Sequence, residues 1–167
     1  TTTMAEIDKK IAIAESKSLV NFSCYLGATN ENIDEVVNVD KNKVCGIKVF
    51  LGASTGNMRV NDPKVLERIF AESPILVATH NEDEEIISAN LKKVKEELGD
   101  QPIPISYHEI IRNSDACYKS TSKAIDLATR YGTRLHVLHL TTAKELALFS
   151  NKPVTIDENS LIMAIES

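Results

Sequence analysis

Short apolar runs alternate with amphipathic stretches along most of the chain. Val20 to Leu26 (VNFSCYL), Val44 to Leu51 (VCGIKVFL), Pro74 to His80 (PILVATH) and Thr133 to Leu140 (TRLHVLHL) read as strands. Between them the spacing turns helical. Thr3-Met4-Ala5-Glu6 is a capping box ahead of Ile7, Ile11 and Ala14. Asn30 to Val39 predicts a modest helix with Ile33, Val36 and Val37 inward. Asp62 followed by Pro63 opens another helix through Phe70, because an Asp cap and a proline in the first turn both suit a helix start. Ile87, Leu91, Val94 and Leu98 step by four, three and four up to Gly99. Cys117, Ser120, Ala124, Leu127 and Tyr131 mark a helix that stops at Gly132, and Thr142-Ala143-Lys144-Glu145 caps a last one through Phe149. Ile105 to Ile110 is expected to be extended. Residues 151–167 fit no element, so the chain divides into βα units over 1–150 and a tail of unassigned role.

Strands that read as continuous apolar runs, separated by helices, belong to parallel sheets covered on both faces. Two architectures fit: part of a (β/α)8 TIM-type barrel, or an open doubly wound sheet. A whole barrel takes about 250 residues, so 167 residues hold only a part of one.

Composition narrows the partners. With 19 Lys and Arg against 24 Asp and Glu, the net charge is -5, leaving no basic surplus for nucleic acid. No apolar run is long enough to span a bilayer, and the first residues lack the basic and apolar regions of a secretion signal. Cys24, Cys45 and Cys117 are widely spaced, which predicts reduced thiols in a cytoplasmic protein.

Chemistry gathers at the carboxyl ends of parallel strands. Three of them carry groups able to bind a metal: Lys48 in GIKVF, His80 closing ILVATH, and His139 closing RLHVLHL. Lys48 stands among Ile47, Val49 and Phe50, where desolvation lowers an ammonium's pKa. The neutral amine can add carbon dioxide to give a carbamate, an anion able to bridge two divalent cations. Strand alternation turns His136 to the face opposite His139, as a packing or hydrogen-bonded residue. The loop Gly52 to Asn57 lacks the spacing of a P-loop or of a dinucleotide fingerprint.

In their order, GIKVFLGASTGNM, ATHNEDE, ACYKS and RLHVLHLTTAKEL resemble a cyclic amidohydrolase of the dihydroorotase type, over about residues 1–150. The resemblance implies a (β/α)8 barrel with two zinc ions, bridged by a carboxylated lysine at Lys48 and bound by His80 and His139. It implies reversible cyclisation of N-carbamoyl-aspartate to dihydroorotate, a step of pyrimidine synthesis. The family's HxH pair on its first strand and its late Asp have no counterpart here, so the chain is expected to be an internal piece of the barrel.

The small-molecule substrate carries a carboxylate, and Asn57, His108 and Arg112 are the candidates to bind it. Three other readings stand beside this one: a related cyclic amidase (allantoinase or dihydropyrimidinase), a non-catalytic scaffold homologue, and a phosphosugar-binding open sheet built on the Gly52 loop. An unclosed sheet also exposes strand edges, which predicts a possible homo-oligomer.

Overall fold

The predicted caps form. The computed structural model describes residues 1–52 and 58–150, with the backbone of Met163–Ile165. The first helix, α1 (Met4–Lys17), starts at Thr3, whose side chain accepts from the Glu6 amide while Glu6 reaches back. Strand β1 (Tyr25–Gly27), helix α2 (Ile33–Val37) and strand β2 (Gly46–Phe50) follow. Helix α3 (Pro63–Glu72) is capped by Asp62 with Pro63 in its first turn. Strand β3 (Val77–His80) leads into α4 (Glu84–Leu98), capped by Asp83 and ended at Gly99. After a short 3-10 turn (Ile105–Tyr107) come α5 (His108–Ile111) and α6 (Ser114–Tyr131). Strand β4 (Leu135–Val137), helix α7 (Ala143–Leu146) and strand β5 (Met163–Ile165) complete the order.

The five strands form one parallel sheet in the order β1-β2-β3-β4-β5. A doubly wound sheet reverses its strand order at a switch point. Here the order never reverses, as in a (β/α)8 barrel, and the protein is part of such a barrel. Facing the helices, Ile47, Val49, Val77, Leu135 and Val137 pack with Leu66, Ile69, Phe70, Ala124 and Leu127 into the buried core. The other face carries the chemistry. Register pairs Phe50 with His80, Lys48 with Ala78, and Ala78 with His136, so Lys48, His80 and His136 share one face.

Three expectations change. Ile105 to Ile110 is helical rather than extended, a 3-10 turn running into α5, and among the described residues no strand pairs with it. A fifth strand lies at Met163–Ile165, where the side-chain pattern predicted no element; it is recruited by pairing to β4. His136 faces the same side as His80. Alternation counted through to His139 fails because β4 ends at Val137, and His139, at φ 39°, lies in the turn beyond it. No described helix is long and apolar enough to cross a membrane.

Candidate active site at the strand ends

The carboxyl ends of β3 and β4 bring His80 and His139 together. His80 Nδ1 lies 2.9 Å from His139 Nε2, and the rings meet edge to face with centroids 4.8 Å apart. His80 is the last residue of β3, aimed by the strand's pleat. His139 reaches it through a left-handed backbone, a conformation rare for a side chain with a Cβ, though histidine tolerates it better than most. Such local strain persists only where surrounding contacts hold it.

His80 is gripped from its other side. Its Nε2 lies 2.9 Å from Glu82 Oε2. A carboxylate only accepts, so Nε2 carries the proton and Nδ1 presents its lone pair toward His139. Burial lowers the His80 pKa, and the charges of His139 and Lys48 act in the same direction against the opposing pull of Glu82. The ring is therefore neutral at pH 7, the form that binds metals.

Glu82 itself is 8% exposed. Arg112, just past α5, donates from Nε to Glu82 Oε1 at 2.8 Å, and its terminal nitrogen contacts Oε2. Burial raises the Glu82 pKa, but the hydrogen bond and charge of Arg112, followed by those of His80, hold it below the usual carboxylate range. Gly52 makes room for this arrangement, since a Cβ there would stand 2.5 Å from the Glu82 carbonyl oxygen. His80, Asn81, Glu82, Arg112, His139 and Glu145 all line a cleft of about 240 Å³.

Lys48 stands behind this group, half-buried, with Nζ 4.2 Å from the Phe50 ring centroid. The Phe50 ring lies 5.7 Å from that of His80. Burial lowers the Lys48 pKa to about 8, so an appreciable fraction of its amine is neutral near pH 7.

The structure thus brings His80, His139 and Arg112 to one cleft, with Lys48 on the same sheet face two positions deeper along β2. His108 is exposed at the start of α5, outside the cleft residues. Asn57 lies outside the described residues. Two residues without a role by residue pattern alone, Glu82 and Glu145, join the site. Glu82 sits two positions after His80, and the spacing His-x-Glu at a strand end was its only sequence sign. Glu145, 3% exposed, accepts from Thr121 and Thr142 at 2.5 and 2.6 Å, and appeared in the sequence only as the last position of a capping box.

Among the described residues, no group of three His, Cys, Asp or Glu is arranged to hold a metal ion. The histidine pair nonetheless fits one. Nitrogens sharing a tetrahedral zinc at about 2.0–2.1 Å stand about 3.3 Å apart, a few tenths of an ångström beyond the 2.9 Å found here. The proton held between the two rings is the one a cation would replace.

No protein-family model matches the chain. It is similar to the dihydroorotase of Methanosarcina acetivorans, 26% identical over 152 residues, covering 89% of this chain and 31% of that protein. With the dihydroorotase of Methanothermobacter thermautotrophicus it shares 27% identity over 147 residues, covering 86% of the chain and 31% of the relative. The chain thus spans about a third of the length of these curated relatives. Among solved structures, an L-hydantoinase (dihydropyrimidinase) from Arthrobacter aurescens superposes with a TM-score of 0.80 at 26% identity, covering 89% of this chain and 33% of that one. A D-hydantoinase matches with a TM-score of 0.73 at 20% identity, over 88% of this chain and 32% of that one, which speaks for the fold alone.

Proposed function

We infer that this chain, a section of a cyclic amidohydrolase barrel akin to dihydroorotases and hydantoinases, carries part of the metal centre that opens and closes a cyclic amide. One observation carries this reading: the contact of His80 Nδ1 with His139 Nε2 at 2.9 Å, at the strand ends beside a half-buried lysine. His80 and His139 would hold a divalent cation, which would supply Lewis-acid activation of water and of the amide carbonyl.

This chain's own residues prepare that chemistry. Glu82 keeps the proton on His80 Nε2, leaving the Nδ1 lone pair free. Arg112 holds Glu82 ionised and in place, so it is a positioning residue rather than a receptor for a substrate carboxylate. Lys48, its amine partly neutral, could add carbon dioxide, a C–N bond forming as one proton leaves to water, and the carbamate would supply an anionic metal ligand. The remaining metal positions need groups beyond the described residues. Asn57 stays a candidate for contact with the substrate's polar groups.

For the substrate we favour the N-carbamoyl-aspartate and dihydroorotate pair, on the likeness to dihydroorotases. A hydantoinase-like preference for a neutral five- or six-membered ring is the second reading, favoured by the L-hydantoinase superposition and by the engagement of Arg112 with Glu82. Two measurements test these proposals. Cobalt(II) titration followed by visible absorption should give a spectrum that His80→Ala and His139→Ala each abolish. Equal binding by all three proteins overturns the metal reading. Turnover of dihydroorotate against hydantoin, in a full-length barrel carrying this segment, separates the two substrates.

A further inference from the structure

Cys24 and Cys45 are separated by twenty residues in the sequence, yet they meet across adjacent strands. The register pairs Tyr25 with Gly46 at the first rung, and Cys24 and Cys45 stand immediately before these two residues, at the amino ends of β1 and β2. The Cys45 amide donates to the Cys24 carbonyl oxygen at 3.0 Å, and Cys45 Sγ lies 3.4 Å from that same oxygen. Neighbouring strands run about 4.7–4.9 Å apart, and a disulfide needs a Cα separation of about 4.4–6.8 Å. A Cβ on the neighbouring Gly46 would stand 2.8 Å from the Leu76 carbonyl oxygen and 3.0 Å from the Tyr25 ring, so this end of the sheet is closely packed.

We propose that Cys24 and Cys45 form an intramolecular disulfide when the chain meets a low-molecular-weight disulfide such as oxidised glutathione, while Cys117 stays a thiol. Cys45 is exposed and Cys24 half-buried, so Cys45 reacts first. Its thiolate attacks one sulfur of oxidised glutathione, forming a mixed disulfide and releasing one glutathione thiolate, which takes up the proton Cys45 lost. The Cys24 thiolate then attacks the Cys45 sulfur. The Cys24–Cys45 bond forms, and a second glutathione leaves with the second proton. Both protein thiols are oxidised, and one glutathione disulfide is reduced to two thiols. Cys117 belongs to the cleft on the other side of the fold, where burial and the charges of Glu145 and Glu82 push its thiol up to about 11. Its thiolate is scarce at neutral pH. The bond staples β1 to β2 at the end of the sheet opposite the histidine pair, so oxidation should leave the strand-end cleft unchanged.

Incubation of the chain with oxidised glutathione, quenching with N-ethylmaleimide and mass spectrometry of a non-reduced tryptic digest test the proposal. Trypsin places the two cysteines in separate peptides, residues 18–41 and 44–48. The expected result is one linked pair of these peptides, an intact mass lower by about two hydrogens, and alkylated Cys117. Cys117→Ser should leave the link intact, and Cys24→Ser should stop the reaction at a glutathione adduct on Cys45. The link should disappear as the favoured product when the reaction is run in denaturant. A link to Cys117, an intermolecular product, or a glutathione adduct that persists on Cys45 in the unmodified chain overturns it.

Discussion

Replacing Arg112 with alanine strips Glu82 of its principal cation and leaves a carboxylate that is only 8% exposed. Breaking a buried ion pair by removing one partner costs about 3–5 kcal/mol. Arg112 keeps 30% of its side chain exposed, so water partly screens the pair and we expect the loss at about 2–3 kcal/mol. For a chain of this size that lowers the melting temperature by roughly 4–12 °C. A double-mutant cycle with Glu82→Ala, read by urea unfolding, should give a coupling of about 1–3 kcal/mol, because the two side chains contact each other directly. Acid supplies a second check. The folded-state pKa of Glu82 is depressed despite its burial, through Arg112 and then His80. The pair's contribution is therefore full above the unfolded carboxylate range, about 4.3, and fades as pH falls through the lower folded value. In the Arg112→Ala protein, burial acts without the cation, so Glu82 protonates more readily and its penalty eases on acidification. The gap between the two proteins should narrow toward pH 4. A gap below about 0.5 kcal/mol at pH 7, or single changes that simply add, refutes the assignment of Arg112 to Glu82.

Three further outcomes follow from the same contacts. Lys48 has a folded pKa of about 8 against about 10.4 in the unfolded chain. The buried ammonium penalty is full below pH 8 and is relieved as pH rises, so the native protein should gain urea stability relative to Lys48→Met between about pH 8 and 10.4. His139→Gly should relieve the strain of the positive φ, leaving urea stability equal or higher by up to about 1 kcal/mol while abolishing cobalt binding. Gly52→Ala puts a Cβ 2.5 Å from the Glu82 carbonyl oxygen, which should cost about 1–3 kcal/mol in thermal unfolding and weaken cobalt binding through the displaced Glu82.

Much of this protein is written in short stretches of chain. The capping box at Thr3, the Thr142 cap, the Asp62-Pro63 start and the apolar run into His80 need only neighbours within one helical turn or one strand. Residue types alone therefore determined where most helices begin, that the sheet is parallel, and which strand ends carry Lys48 and His80. Contacts far apart in sequence decided the rest. Strand order is a relation among segments that no local period encodes, and it separates the barrel section from a doubly wound sheet. The meeting of His139 with His80 depends on a backbone turn after β4 that alternation does not foresee. Glu82 gains its meaning from an arginine thirty residues away, and Cys24 finds Cys45 only once β1 and β2 are in register. Local free energies shape each element, but a site arises where several elements converge, and that convergence depends on packing across the whole sheet.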